Sequence, residues 1–191
     1  MLDKNTALLL IDLQLGFDDH VYWGGNRNNP NCEQVCFDLL AKWRAYQMPI
    51  FHIQHNSTEP NSPLRPNQIG NDFKPLTAPM GDEVVIGKTV NSAFIGTNLE
   101  QQLKSRAITN LVIIGLTTNH CISTTTRMAG NLGFHVIVVA DATATFDRLG
   151  FDGKHYDSEL VHQISLANLH NEFATVLMSD VLLADKFWQS T

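Results

Sequence analysis

The sequence predicts an α/β fold: three layers, a doubly wound sheet of about six parallel strands with helices on both faces. Short continuous apolar runs recur along the chain, and such runs mark strands buried on both faces. Segments with a single apolar helical stripe or a capping pattern separate them, so strands and helices alternate, as in a parallel sheet covered on both sides. The length of 191 residues suits one domain over 1–191, and a 43% hydrophobic share is enough for a sizeable core.

Ala7 to Ile11 is the first apolar run, and Asp12 ends it. From Asn31 to Gln47, Val35, Cys36, Leu39, Leu40 and Trp43 fall on one helical stripe. Pro49 stops that helix, and Ile50 to Ile53 gives the second strand. Residues 56–82 hold five of the seven prolines and read as a long surface loop of the kind that lines a site. Val84 to Ile86 is the third strand, ending at Gly87 and Lys88. Thr97 and Glu100 have capping-box spacing ahead of a short helix through Leu99 and Leu103. Leu111 to Ile114 is the fourth strand, and a helix over 121–132 follows. Val136 to Val139 is the fifth strand, ending at Asp141. Residues 145–156, with Phe146, Phe151, Tyr156 and two glycines, read as a mobile or partner-contacting loop. A last long helix runs through Leu160, Val161, Ile164 and Ala167, and Ala174 to Leu177 is the sixth strand.

The formal net charge of -6 with scattered Lys and Arg argues against nucleic acid as a partner. No apolar run is long enough to span a membrane, and the start Met1-Leu-Asp-Lys lacks a secretion signal. Three irregularly spaced cysteines argue against a disulfide framework. The expectation is a cytoplasmic protein whose Cys121 stays a free thiol.

Cys121 follows the fourth strand through a Gly and Thr-rich turn. A helix starting at the cysteine would place its thiol by unpaired N–H groups and favour the thiolate. Ligands of such sheets bind beyond the carboxyl ends of the strands, where Asp12 and Lys88 also lie. Lys88 is expected to stabilise the thiolate by charge, Asp12 to take and return the proton, and the N–H groups of Thr117 and Cys121 to hold an oxyanion. Singly, each residue has a plain alternative: Asp12 as a cap, Lys88 as a solvated lysine, Cys121 as an inert core thiol. Gln14, Phe17, Trp23 and His120 are candidate substrate contacts, with equal alternatives: packing of the loop for Gln14 and Phe17, a subunit interface for Trp23, and shaping of the turn for His120. Cys32 and Cys36, on one helix face, read as packing.

Leu10 to Phe17, Gly87-Lys88 with Asn91 to Phe94, Gly115 to Cys121, Thr126 to Gly130 and Ala140 to Ala142 together resemble the isochorismatase-like cysteine hydrolases. That group includes nicotinamidase, N-carbamoylsarcosine amidase and streptothricin hydrolase. The resemblance covers nearly the whole chain. It implies an Asp12, Lys88 and Cys121 triad, hydrolysis of a small amide through a thioester, a cis peptide at Leu116-Thr117, and a homo-oligomer. Retention of Cys121 favours amide over vinyl-ether chemistry. Nicotinamidases hold a metal through an Asp-x-His pair after the second strand, where this chain has His52-Ile-Gln-His55. Residues three apart on a strand face opposite ways, so no metal and no cofactor is expected. Asp18-Asp-His20 has the spacing but falls in a loop, and reads as solvated. Two alternatives stay open: a non-amide, isochorismate-like substrate, and a non-enzymatic receiver-like domain. The second is weakened because Asp18 and Asp19 are misplaced for a Mg²⁺-binding pair and Lys88 comes too early in the strand order.

Overall fold

The computed structural model describes residues 5–184 and 188. A six-stranded sheet forms the centre, built from β1 (Thr6–Ile11), β2 (Ile50–His55), β3 (Val84–Lys88), β4 (Asn110–Leu116), β5 (His135–Ala144) and, after a short hairpin of β6 (Arg148–Leu149) and β7 (His155–Tyr156), β8 (Thr175–Leu177). All neighbours are parallel, in the order β3-β2-β1-β4-β5-β8. The chain winds one way from β1 through β2 to β3, then crosses back and winds the other way from β4. The switch point lies between β1 and β4.

The expected α/β class, the six parallel strands and the helices on both faces are all present. Helices α3 (Leu99–Ser105), α4 (Ser123–Asn131) and α5 (Ser158–Ala167) cover one face. Their Leu99, Leu103, Ala129 and Leu166 share a core with Leu9, Ile11, Phe51, Ile113 and Val138. Helices α2 (Cys32–Ala45) and α6 (Ser179–Leu183) cover the other, where Cys36, Leu39, Leu40, Trp43 and Leu182 pack on Leu8, Leu10, Val112 and Ile114. Alternate residues of β1 thus feed opposite cores, and each central strand reads as an unbroken apolar run. Cys32 and Cys36 are fully buried packing residues, as expected.

Several local expectations fail. β5 runs on to Ala144 past Asp141, whose carboxylate accepts from Ser179 N (2.8 Å) and Oγ (2.5 Å) and so is satisfied inside the fold. The capping box at Thr97 does not form: Asn98 is the N-cap, Thr97 Oγ1 donates to the Ala93 carbonyl (2.6 Å), and Glu100 instead pairs with Lys104 one turn along. Residues 145–156 close into the β6–β7 hairpin. Within this segment Phe146 is buried, while Leu149 and Phe151 are exposed. Trp23 lies on a single helical turn, α1 (His20–Trp23), capped by Asp19, which accepts from Tyr22 N at 3.1 Å. Asp18 is not merely solvated, because it forms an ion pair with Lys74. Among the described residues no helix is long and apolar enough to cross a membrane.

β1 and β4 approach so closely beside the switch point that Gly115 has φ +117°, and a Cβ there would sit 2.0 Å from the Ile11 carbonyl oxygen. Gly115→Ala should therefore cost more than about 2 kcal/mol of stability through combined clash and backbone strain. Urea denaturation measures it; an unchanged midpoint would contradict this packing.

Candidate active site

The strand order places four reactive side chains in one row. Lys88 closes β3, His55 closes β2, Asp12 follows β1, and Cys121 follows β4 through a turn. His55 and Lys88 are register partners. Asp12 has φ +52°, a left-handed conformation that Asp tolerates better than most residues. Its N–H donates to the Ile53 carbonyl (2.9 Å), which pins this turn to β2.

Lys88 is the hub. Its side chain has no exposure, and its Nζ lies 2.7 Å from Asp12 Oδ2, 2.8 Å from His55 Nδ1 and 3.3 Å from Cys121 Sγ. An ammonium has three donors and no acceptor, so all three are used, and His55 Nδ1 must accept. Leaving such a cation unpaired in the interior would cost several kcal/mol. Burial works against the charge, but the carboxylate of Asp12 and the sulfur of Cys121 outweigh it and raise the Lys88 pKa. The ammonium is therefore retained. Asp12 Oδ1 is buried and has no hydrogen-bond partner among the described residues.

Cys121 departs from the expected state. The helical segment begins at Thr118, not at the cysteine: Thr118–Ile122 is a wide turn closed on the Thr117 carbonyl, which accepts from His120 N (3.1 Å) and Ile122 N (3.2 Å). Cys121 is thus inside the first turn and 7% exposed. Burial pushes its thiol pKa well up, the Asp12 carboxylate pushes the same way, and Lys88 opposes only in part. Burial and the Asp12 charge together favour the thiol form. The Leu116-Thr117 peptide is cis, as expected.

A cavity of about 250 Å³ opens above the sulfur. Phe17 and Trp23 form one wall, stacked at 4.6 Å, with Phe146 behind them. Ser57, Glu59, Ser62 and Leu64 of the long loop form another, and His55, Asn91, Thr117 and His120 surround the thiol. Phe17, Trp23 and His120 therefore stand where substrate contacts were expected. Gln14 does not: it is fully buried, donating to the His55 (3.1 Å) and Asn71 (2.8 Å) carbonyls and accepting from His55 N (2.8 Å). It ties β2 to the loop and does not line the cavity. A larger depression of about 680 Å³, lined in part by Thr6, Asn110 and Phe173, lies at the opposite ends of the strands and holds none of these groups.

Sequence reasoning missed His55 and Asn91, whose Oδ1 lies 3.7 Å from the sulfur. The signal for His55 was present: it ends the strand between those of Asp12 and Lys88, which the strand order alone reveals. It also missed His162, which is buried behind the turn with Nδ1 2.9 Å from Thr118 Oγ1. His52 faces away from His55 and pairs with Glu83 at 2.8 Å. Donor atoms of Asp12, His55 and Cys121 do lie within 4.8 Å of one another, a spacing that could embrace a metal ion. The Lys88 ammonium is bonded to all three, so a divalent cation would have to displace a buried positive charge. The donor set does not fit a metal while Lys88 is in place.

Comparison with known proteins identifies the family. Residues 6–181 match the isochorismatase domain family. The uncharacterized isochorismatase family protein YrdC of Bacillus subtilis is 47% identical over 184 residues, covering 96% of this chain and 97% of that one. A crystal structure described as a hydrolase of the isochorismatase family, from Chromobacterium violaceum, has 45% identity and a TM-score of 0.91, covering 96% of this chain and 94% of that one. Nicotinamidase 3 of Arabidopsis thaliana is 28% identical over 192 residues, covering 94% and 87%.

Because the thiol pKa is raised, alkylation of Cys121 by iodoacetamide should keep accelerating as the pH rises past neutrality rather than level off there. Lys88→Met removes the opposing positive charge and should slow the reaction at pH 8 by about tenfold or more, one pKa unit being a factor of ten in thiolate. A plateau near pH 7, or an unchanged rate in the variant, would contradict the assigned contacts.

Proposed function

We propose that this chain, which belongs to the isochorismatase family of hydrolases, cleaves the C–N bond of a small amide through a thioester on Cys121. The observation that carries the reading is the buried row of Asp12, Lys88 and Cys121 beneath the cavity, joined through one ammonium. Asp12 takes the thiol proton and the sulfur attacks the carbonyl carbon. The oxyanion is held by the N–H groups of Thr117 and Cys121. Collapse breaks the C–N bond, and Asp12 delivers its proton to the departing nitrogen. Water then gives a proton to Asp12 and its oxygen attacks the thioester. The C–S bond breaks, releasing the acid, and Asp12 returns the proton to sulfur. Lys88 stays charged throughout and stabilises the thiolate whenever it forms.

An amide is favoured because a nucleophile with an adjacent proton carrier is what acyl transfer to and from nitrogen requires, and the related nicotinamidase is named for such a substrate. The cavity volume of about 250 Å³ limits the portion of substrate near sulfur to a few atoms or one small ring. The reading includes no metal or cofactor, a cytoplasmic setting and a homo-oligomer. The last is supported by Leu149 and Phe151 of the β6–β7 hairpin and Ile164 of α5, all exposed.

Ammonia release from a panel of small amides, lactams and ureido compounds tests the function. Wild type is expected to turn over at least one of them, with activity surviving prolonged chelator treatment. Cys121→Ala should remain folded and lose at least about 10³-fold in rate, as expected for a covalent nucleophile. Wild-type turnover by that variant would overturn the covalent mechanism, and loss on chelation restored by Zn²⁺ would overturn the metal-free one. Light scattering at micromolar concentration should give a dimer or larger; a monomer mass would remove the oligomer.

A further inference from the structure

His55 has no part in the mechanism so far, yet it touches both Lys88 and the cavity. Its Nδ1 faces the fully buried Lys88 and must accept from it, because the ammonium can only donate. A neutral imidazole that accepts at Nδ1 carries its proton on Nε2. The ring is neutral: burial lowers its pKa, and the adjacent Lys88 charge lowers it further. Nε2 has no hydrogen-bond partner among the described residues, and it is not among the buried polar atoms left without one, so it is open to the cavity the residue lines. The backbone of His55 is fixed at both ends, its N–H to Gln14 Oε1 (2.8 Å) and its carbonyl by Gln14 Nε2 (3.1 Å) and Asn71 Nδ2 (2.9 Å). The result is a rigid, uncharged N–H donor, oriented by Lys88 and unused by the protein itself.

We propose that His55 is a specificity-determining residue whose Nε2–H binds a hydrogen-bond acceptor carried by the substrate close to its scissile carbonyl. The substrate class follows: a small planar amide bearing a ring nitrogen or a second carbonyl, its plane against the Phe17 and Trp23 rings, its acceptor on His55. The other groups facing the ring's neighbourhood are Asp12 and Lys88 from β1 and β3 and Cys121 from the β4 turn, and these three are bound to one another through the ammonium. His55 is left as a side-chain donor free for substrate, held rigidly in place, with the Asn91 amide as the other polar neighbour of the sulfur. Recognition of this kind discriminates strongly, since an analogue lacking the acceptor leaves a desolvated N–H unpaired. The inference rests on Cys121 being the nucleophile of the proposed hydrolase, and its test separates the two.

Aldehydes add reversibly to a thiol: the S–C bond forms, the carbonyl π bond breaks, and the thiol proton ends on oxygen. The three pyridinecarboxaldehyde isomers and benzaldehyde therefore probe the site without turnover. The readout is the concentration of each that protects Cys121 from iodoacetamide, with each value divided by the same aldehyde's affinity for mercaptoethanol. In wild type at least one pyridine isomer is expected to bind about fivefold or more tightly relative to benzaldehyde, one neutral hydrogen bond. His55→Phe should erase that preference, and His55→Gln, which keeps an N–H donor, should restore it at least in part. A preference absent from wild type, or unchanged in His55→Phe, would overturn the role of His55 while leaving the nucleophile intact. A Cys121 that neither alkylates nor binds any aldehyde would overturn both. ¹⁵N spectra of histidine-labelled protein give an independent check: the His55 ring should be the neutral Nε2–H tautomer, and an Nδ1–H tautomer would overturn the proposal.

Discussion

Everything in the site depends on keeping one ammonium inside the protein. Lys88 has no contact with water, and its charge is stable there only because three acceptors meet its three N–H bonds. Each acceptor comes from a different strand end, so the ion is also a clamp across β3, β2, β1 and the β4 turn. Removing any one acceptor would leave a desolvated N–H and disturb the other two. The arrangement has a chemical consequence beyond cohesion. Asp12 gives one oxygen to the lysine and leaves the other without a partner among the described residues, and in the proposed mechanism this is the group that takes the thiol proton while Lys88 stabilises the thiolate.

The sheet makes this convergence possible. Connections that wind in opposite directions from a central pair open a crevice beyond β1 and β4, and Asp12 and Cys121 flank it. Close approach of those two strands requires a residue without a side chain at Gly115. Gln14, one of the expected substrate contacts, instead uses every polar atom of its amide on backbone groups of β2 and the long loop. The cavity is lined instead by Phe17 and Trp23, by His55 and by loop residues between Ser57 and Leu64.

The fold was legible because its signals are local. Runs such as Leu8 to Ile11 and Leu111 to Ile114 need only burial on both faces to be read as strands, and all six were placed. The boundaries that failed were decided by partners outside each pattern: Asp141 is held by the distant Ser179, and the Thr97 hydroxyl donates back to Ala93 while accepting from Leu99 N, with Asn98 as the N-cap. The convergence of Asp12, Lys88 and Cys121 was legible because each lies at or just beyond a strand end, a position that chain order discloses. His55 was not, since its role depends on β2 lying between β1 and β3, which no local pattern states. The upward pull on the Cys121 pKa was not legible for a similar reason. A helix start is visible in sequence, whereas the depth of burial and the nearness of a carboxylate are properties of the assembled sheet.

The central claim is that Cys121 becomes covalently acylated. Rapid acid quench of wild-type protein during turnover of an amide it hydrolyses, followed by intact-mass and peptide mapping, tests this directly. The account predicts a transient mass increase equal to the acyl group, located on the peptide containing Cys121 and removed by hydroxylamine. Turnover with no such adduct at any quench time, while an ester or amide linkage forms at another residue, would contradict it.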